Sequence, residues 1–206
     1  MTAPVVHIVD DDRELCASLA WLLESVGIAS RCYHDVGTFL ASYDPARPAC
    51  LVLDVRMPGA GGFQLQEELN RAGSVIPVVF VSAHGDIRMS VRALQRGAVD
   101  FLEKPYDPQH MLDVVQGALR TAEERFARAA EERALRTRLA RLSPREREVL
   151  HLVIEGLAGK NIASRLGISV KTVDVHRTRI REKTGARSIT TLARDMYRAG
   201  LGPSAG

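Results

Sequence analysis

Five short apolar runs in the first 120 residues alternate with stretches whose apolar residues recur at helical spacing. The runs are residues 5–9, 29–33, 51–54, 78–82 and 100–103. Strands that alternate with amphipathic helices are typical of a parallel sheet covered on both faces, because each helix returns the chain to the same end of the sheet. The pattern therefore predicts an α/β domain, a doubly wound (βα)5 unit with strand order 2-1-3-4-5.

One long helical stretch without an internal proline follows, from Pro108 to about Leu142. Its charges alternate in sign at every fourth residue from Arg120 to Arg136, which supports an exposed helix. Its apolar residues keep a 3-4 spacing whose phase changes near Leu135. Two interpretations remain open, a solvated linker helix with a partly buried seam and a coiled-coil contact in a dimer.

A strong helix start follows the long helix. Ser143 supplies an N-cap, Pro144 the first helical position, and Glu146 a carboxylate three residues after the cap. Four short helices separated by glycines are predicted from there on, over residues 144–155, 161–166, 170–184 and 188–198. The predicted organisation is an α/β domain at 1–120, a helical linker at 121–141, an all-α domain at 142–200 and a disordered tail at 201–206.

The net charge of +3 hides two halves of opposite sign. Residues 1–119 hold 9 lysines and arginines against 15 aspartates and glutamates, a net charge of −6. Residues 120–206 hold 19 against 10, a net charge of +9. This asymmetry favours cation or phosphate chemistry in the first part and an anionic partner such as nucleic acid for the second.

The cysteines and the N-terminus indicate the compartment. The chain has an odd number of cysteines, three, at Cys16, Cys32 and Cys50, and they lack CxxC spacing. Neither a disulfide framework nor a thiolate metal site is therefore predicted. No basic segment precedes the first apolar run, and no apolar run approaches the ~18 residues of a membrane span. We therefore expect a cytoplasmic protein without a membrane partner.

Three carboxylates are predicted to meet at one edge of the sheet. Asp10 and Asp11 follow the first strand and Asp54 ends the third, and these strands are neighbours in the predicted order. Carboxylates so close disfavour mutual ionisation unless a cation offsets them, and oxygen ligands suit Mg²⁺ or Mn²⁺. Asp54 alone has a simpler interpretation, as the cap of a helix that begins near Gly61.

Two further polar side chains are predicted at the same edge. Ser82 ends the fourth strand, and Lys104 follows the fifth, immediately before Pro105. A nucleophilic carboxylate, a divalent cation, a hydroxyl and an ammonium group are together what acceptance of a phosphoryl group requires.

With these residues, roughly residues 4–120 of the chain resemble the receiver domains of two-component response regulators. The resemblance implies that Asp54 is the phosphorylation site. It also implies that Asp11 and the backbone carbonyl of Arg56 bind Mg²⁺ together with Asp54, while Asp10 acts through water. Asp12 is predicted to be a solvated neighbour rather than a ligand.

The resemblance implies roles for residues on the fourth and fifth strands as well. Ser82 and Lys104 would hold the phosphoryl oxygens, and the Lys104–Pro105 peptide is usually cis in this family. Phe101 stands where many receiver domains carry a switch aromatic, and a plain core residue is the alternative interpretation. His84 is predicted to be an exposed residue at the rim of the site.

Residues 161–173 combine a short helix, a turn at Gly167 and a second helix capped by Ser169, which is typical of a helix-turn-helix motif. Residues 142–206 carry 12 lysines and arginines against 6 aspartates and glutamates, a net charge of +6, which suits approach to a phosphate backbone. The alternative is a helical bundle whose charges are only solvated.

Residues 142–150, 156–163 and 172–176 resemble the LuxR-type domain of the NarL/FixJ response regulators. On this resemblance the phosphate contacts are Lys171, Thr172, His176 and Arg177, the residues that face base edges are Asp174, Val175 and Thr178, and Lys160 and Lys183 complete the DNA-binding set. Many relatives carry lysine at the position of Asp174. An acidic residue there could accept a hydrogen bond from a cytosine amino group or lie unpaired beside the groove.

Together these features predict a phosphorylation-gated regulator of transcription and not an enzyme. A sensor histidine kinase would phosphorylate Asp54, and the phosphorylated protein would form a homodimer through residues 87–97 and 100–103, bind double-stranded DNA and act with RNA polymerase. One alternative is an aspartyl-phosphate phosphatase or phosphotransferase, which would need a second carboxylate where Arg56 stands. Another is an adaptor that binds DNA regardless of phosphate.

Overall fold

The computed structural model describes residues 3–59, 61–83 and 87–202, and the chain divides into two compact units, residues 1–127 and 128–206. His84 and most of the predicted tail, residues 203–206, lie outside the described residues. Within the part of the chain that the structure describes, every helix is too short or too polar to cross a membrane.

The first unit contains one parallel sheet whose strands lie in the order β2-β1-β3-β4-β5. The strands are β1 (Val5–Val9), β2 (Ser30–Tyr33), β3 (Ala49–Asp54), β4 (Val78–Ser82) and β5 (Asp100–Glu103). The helices are α1 (Arg13–Ser25), α2 (Val36–Ser42), α3 (Gly62–Arg71), α4 (Ile87–Gln95) and the start of α5 (Pro108–Ala140). The predicted (βα)5 fold and its strand order are confirmed.

The two faces of the sheet bury separate apolar cores. Successive residues of β3 point to opposite faces, so Leu51 and Leu53 belong to one core and Cys50 and Val52 to the other. Helices α2, α3 and α4 cover the first face, and α1 and α5 cover the second. This two-sided burial explains why β3 is a continuous apolar run rather than an alternating one.

The register of the sheet brings its polar strand ends together. Val9, the last residue of β1, pairs with Leu53, so Asp10 and Asp54 come next on neighbouring strands. Ser82 at the end of β4 pairs with Glu103 at the end of β5. Carboxyl ends of parallel strands share one edge, and the polar residues therefore collect there.

The second unit is all-helical. It contains the last part of α5, followed by α6 (Pro144–Ile154), α7 (Gly159–Leu166), α8 (Val170–Thr184) and α9 (Ile189–Arg198). The predicted capping box is present. The Ser143 hydroxyl accepts a hydrogen bond from the backbone N–H of Glu146, and the Glu146 carboxylate accepts one from the backbone N–H of Ser143. Gly167, with a φ of 63°, makes the left-handed turn between α7 and α8.

Helix α5 contributes to the core of each unit in turn. Met111 and Val115 are fully buried in the first unit, whereas Leu135 is buried in the second among Val149, Ile162 and other apolar residues. The change of apolar phase near Leu135 therefore marks the transfer of the helix from one core to the other. The division between units falls inside the predicted linker 121–141.

Candidate functional site

The carboxyl edge of the sheet forms an acidic pocket, which we define as Asp10, Asp11, Asp54, Ser82 and Lys104. Asp10 and Asp54 are only 4% and 5% exposed, whereas Asp11 is exposed. Carboxylate oxygens of the three aspartates lie within 4.8 Å of one another. Two buried carboxylates and a third at the entrance concentrate negative charge that needs a positive partner.

Lys104 supplies part of that positive charge. Its Nζ lies 2.6 Å from Asp10 Oδ2 and 2.9 Å from Asp54 Oδ1. Burial opposes the charge of the ammonium group, but hydrogen bonds to the two carboxylates outweigh burial and raise the pKa of Lys104. One ammonium group cannot balance three carboxylates, so the pocket retains a net negative charge when all of them are ionised.

Asp54 is held through both of its oxygens. Oδ1 binds Lys104, and Oδ2 accepts the backbone N–H of Arg56 at 2.9 Å. Burial raises the pKa of Asp54 despite the stabilising bonds from Lys104. The simpler interpretation of Asp54 as a helix cap is wrong, because α3 has Gly61 at its N-cap position and no side chain bonds there.

Gly62 permits the close approach of α3 to the strand end that carries Asp54. A Cβ at this position would collide with the Asp54 carbonyl oxygen, and it would also lie 3.1 Å from the Leu53 and Phe80 side chains. Sequence reasoning missed Gly62, since its need for glycine arises from a tertiary contact. Its φ does not lie in the positive range that favours glycine.

The fourth and fifth strands bring the remaining predicted residues to this edge. Ser82 is 1% exposed, and its carbonyl oxygen accepts the backbone N–H of Lys104 at 2.8 Å. The Lys104–Pro105 peptide is cis. Phe101 is half-buried on β5, with its ring centroid 6.5 Å from that of Phe80. A half-buried ring beside the core is compatible with both interpretations of Phe101.

Three neighbours of the aspartates have roles that the sequence analysis did not include. The Asp12 side chain N-caps α1 by accepting the backbone N–H groups of Glu14 and Leu15. Nδ1 of His34 lies 3.2 Å from the Asp10 carbonyl oxygen, and the Cys16 thiol donates to the same oxygen at 3.5 Å. These contacts hold the backbone of Asp10 from two sides.

The donor set of the pocket fits a hard divalent cation. Asp10, Asp11 and Asp54 offer only oxygen atoms, and Arg56 follows Asp54 in the adjoining turn. Lys104 leaves a negative charge for the cation to offset. Within the described residues, this cluster of three acidic side chains is the one whose ligand atoms converge.

The predicted helix-turn-helix motif is formed by α7, the Gly167 turn and α8. Ile162 of α7 packs with Val173 and Ile180 of α8 in the core of the second unit. Ser169 caps α8, and its hydroxyl also lies 2.8 Å from the Thr172 hydroxyl. The buried residues leave one side of α8 exposed.

We define the outer face of α8 as the residues that line its exposed groove: Lys171, Asp174, Val175, Thr178, Arg179 and Glu182. Asp174 is exposed and lies 3.9 Å from Arg177, which is half-buried together with Thr172 and His176. Arg179 was not among the predicted contacts. Its i+4 spacing from Val175 would have placed it on this face.

Lys160 and Lys183, also predicted as DNA contacts, lie outside the outer face of α8. Lys160 is exposed near the start of α7. Lys183 lies 2.7 Å from Oε2 of Glu146, a buried side chain of the capping box. Burial opposes the charge of Glu146, but hydrogen bonds from Lys183 and Ser143 outweigh it and lower its pKa. Lys183 therefore ties the end of α8 to the start of α6.

Comparison with known proteins supports both units. Residues 6–116 match the response regulator receiver domain, and residues 140–196 match the bacterial regulatory proteins of the luxR family. The C4-dicarboxylate transport transcriptional regulatory protein DctR of Rhodobacter capsulatus is 46% identical over 191 residues, 92% of this chain and 97% of the relative. The transcriptional regulatory protein FixJ of Azorhizobium caulinodans is 40% identical over 199 residues, 97% and 94% of the two chains.

A solved structure agrees with these matches. The response regulator StyR is 42% identical, with a TM-score of 0.78 over 96% of this chain and all of that chain. The family predicted from the motifs is confirmed by relatives that align over nearly the whole length. The chain belongs to the NarL/FixJ response regulators, transcription regulators in which a receiver domain is joined to a LuxR-type DNA-binding domain.

Proposed function

We propose that Asp54 accepts a phosphoryl group from the phosphohistidine of a sensor histidine kinase. The observation that carries this proposal is the buried Asp54 carboxylate paired with Lys104 beside two further carboxylates. An oxygen of Asp54 would attack the phosphorus atom while the P–N bond of the donor breaks. Lys104, 2.9 Å from Asp54 Oδ1, is close enough to offset charge on the incoming phosphoryl oxygens.

Mg²⁺, or Mn²⁺, is the proposed cofactor. Asp11, Asp54 and the Arg56 carbonyl would hold it directly and Asp10 through water, and when bound it would neutralise charge on the phosphoryl oxygens. Asp11 suits this role because it is exposed at the entrance, whereas Asp10 is already bound to Lys104.

Ser82 and Phe101 are the proposed link between phosphate and the surface of the domain. Ser82 ends β4 in the pocket, and Phe101 lies on the neighbouring strand, half-buried beside Phe80. A new phosphoryl group adds a charge of roughly −1.5 to −2 and three acceptor oxygens. Ser82 would move toward these oxygens, and Phe101 would turn into the space that opens.

We propose α4 as the dimer contact that this change controls. Ile87, Val91 and Leu94 form an exposed apolar stripe at i, i+4 and i+7, with exposed fractions of 82%, 45% and 47%. A second copy of the phosphorylated chain would cover this stripe and bring two DNA-binding domains to paired half-sites ~10 base pairs apart. A single helix-turn-helix domain reads only one face of the major groove.

Helix α8 is the proposed recognition helix for double-stranded DNA. The proposed phosphate contacts are Lys160, Lys171, Thr172, His176, Arg177 and Lys183. The residues proposed to face base edges are Asp174, Val175 and Thr178. The exposed outer face of α8 and the charge of the domain support this orientation. The regulator would act in the cytoplasm, with RNA polymerase as its further partner.

Phosphorylation of matched variants tests the proposal. Full-length wild type, Asp54→Asn and Asp44→Asn are incubated with acetyl phosphate and Mg²⁺, and acid-labile phosphate is measured. Asp44 is an exposed loop residue that accepts the Ala46 backbone N–H, a bond that asparagine can keep. We expect no labelling of Asp54→Asn and full labelling of Asp44→Asn. Undiminished labelling of Asp54→Asn would assign the phosphate to a different residue.

A further inference from the structure

Two cysteines lie side by side next to the acidic pocket. Cys16 belongs to α1 and is 1% exposed, whereas Cys32 belongs to the edge strand β2 and is exposed. The Cys32 sulfur lies 3.5 Å from the Cys16 carbonyl oxygen. Cys50, the third cysteine, is buried in β3.

The Cys16 thiol connects this pair to Asp10. It donates to the Asp10 carbonyl oxygen at 3.5 Å and lies 4.0 Å from the Tyr33 carbonyl oxygen. Cys16 is buried, whereas Cys32 is exposed, so the Cys32 sulfur is the one that a soluble oxidant meets first.

We propose that Cys16 and Cys32 are an oxidation site and form a reversible intramolecular disulfide when a peroxide oxidises the protein. The Cys32 sulfur attacks the peroxide, an S–O bond forms, the O–O bond breaks, and Cys32 becomes a sulfenic acid with release of water. The Cys16 sulfur then attacks the Cys32 sulfur, the S–S bond forms, the S–O bond breaks, and a second water leaves with the proton of Cys16. Two thiols are oxidised and one peroxide is reduced to two waters.

Formation of this bond alters the support of the pocket. The disulfide removes the Cys16 S–H group that donates to the Asp10 carbonyl oxygen, while the Asp10 side chain holds Lys104 on its other side. This consequence rests on the proposed function of Asp54. Oxidation slows phosphoryl uptake several-fold, and reduction restores it. A disulfide in a reducing compartment acts as such a reversible sensor rather than as a structural bond.

Mass spectrometry tests the bond itself, without any readout of phosphorylation. Full-length Cys50→Ser is treated with hydrogen peroxide, blocked with an alkylating reagent and digested with trypsin. Arg13 and Arg31 place Cys16 in peptide 14–31 and Cys32 in the next peptide, which no longer contains a second cysteine in this variant. We expect the two peptides linked, an intact mass lower by about 2 Da, and recovery of both free peptides after dithiothreitol. Two unlinked peptides, with Cys32 carried on to sulfinic acid or left free, would overturn the proposal.

Phosphorylation rates test the consequence separately. Wild type, Cys32→Ser and Cys50→Ser are oxidised, and uptake from acetyl phosphate is followed before and after reduction. The rate falls in wild type and Cys50→Ser but not in Cys32→Ser. A disulfide that forms without changing the rate would remove the regulatory role and leave the modification site intact. Absence of phosphate in the reduced wild type would count against the proposed function and not against the disulfide.

Discussion

The acidic pocket and the outer face of α8 are both charged, but their side chains are held in different ways. In the pocket, both carboxylate oxygens of Asp54 accept hydrogen bonds, and Lys104, which follows a different strand, contacts the two buried carboxylates of Asp10 and Asp54. On the outer face of α8 the charged groups are exposed, and the ion pair of Asp174 with the half-buried Arg177 is long, at 3.9 Å. A pocket built from several strands therefore depends on every member, whereas an exposed helix face tolerates gradual change.

Gly62→Ala is expected to produce the largest effect, because it breaks the pocket through the backbone. The new Cβ would collide with the Asp54 carbonyl oxygen and press on Leu53 and Phe80. We expect a loss of ~3 kcal/mol in the free energy of unfolding of the receiver domain, together with loss of phosphoryl uptake. Urea denaturation and acetyl phosphate labelling measure the two effects.

Gly61→Ala is the matched control for that substitution. Its Cβ would lie 3.4 Å from the Val55 carbonyl oxygen, an ordinary contact, and α3 has its N-cap at this residue. Stability and labelling should stay close to those of wild type. Equal damage from both alanines would show that the turn, rather than the contact of Gly62 with Asp54, is sensitive.

Lys104→Met tests how much the ammonium group stabilises the pocket. Removal of the ammonium group leaves Asp10 and Asp54 buried without their partner, and we expect a loss of about 2 kcal/mol at neutral pH. The pKa of Asp54 is already raised by burial, so the folded state takes up a proton before the unfolded state as the pH falls. The difference in the free energy of unfolding between wild type and Lys104→Met should therefore decrease toward acidic pH, as measured by urea denaturation at several pH values. A difference that does not change with pH would contradict this assignment of charge.

Substitutions of two lysines of α8 are expected to have different effects. Lys171 is exposed on the outer face, so Lys171→Ala should weaken DNA binding and reduce the salt slope of log K by about 1, with unchanged stability. Lys183 binds the buried Glu146, so Lys183→Met should lower the stability of the DNA-binding domain by ~1 kcal/mol. Titration of binding against salt, paired with thermal unfolding, separates the two. A normal salt slope in Lys171→Ala would remove this residue from the interface.

At neutral pH the smallest expected effect concerns His7, which is buried among Tyr33, Phe39 and Tyr43 and outside both regions. Burial, with smaller contributions from two arginines, lowers its pKa to about 4. As the pH falls below 6.5 the unfolded chain binds a proton that the folded chain does not, so stability is lost between pH 6.5 and about 4. His7→Leu should flatten this part of the stability profile, and an unchanged slope would show that other groups cause it.

Prediction from the sequence succeeded where topology alone determines position. Asp54 and Ser82 end strands, and Asp10 and Lys104 directly follow strands. Because parallel strands end at one edge, their position at this edge needed no side-chain detail. The same rule applies to His34, which directly follows β2 and contacts the Asp10 carbonyl oxygen. His34 could thus have been found from its position at a strand end.

Other features depend on packing that no local pattern reveals. Three such features arise from contacts between residues of different elements. They are the close approach that requires glycine at position 62, the contact of Cys16 with Asp10 and the ion pair of Lys183 with Glu146. Lys183 was predicted as a DNA contact from its charge and its position on the helix. Its partner across the domain became visible only once α6 and α8 were placed together.

We propose that phosphorylation of Asp54 in the pocket controls DNA binding by α8. The most direct measurement is fluorescence anisotropy with DNA selected by the phosphorylated protein from a random pool, using wild type and Asp54→Asn with and without acetyl phosphate and Mg²⁺. We predict that phosphorylation tightens binding by wild type ~10-fold or more, within the usual range of allosteric coupling, and leaves Asp54→Asn unchanged. Equal affinity of wild type under both conditions, or the same gain in Asp54→Asn, would contradict the account.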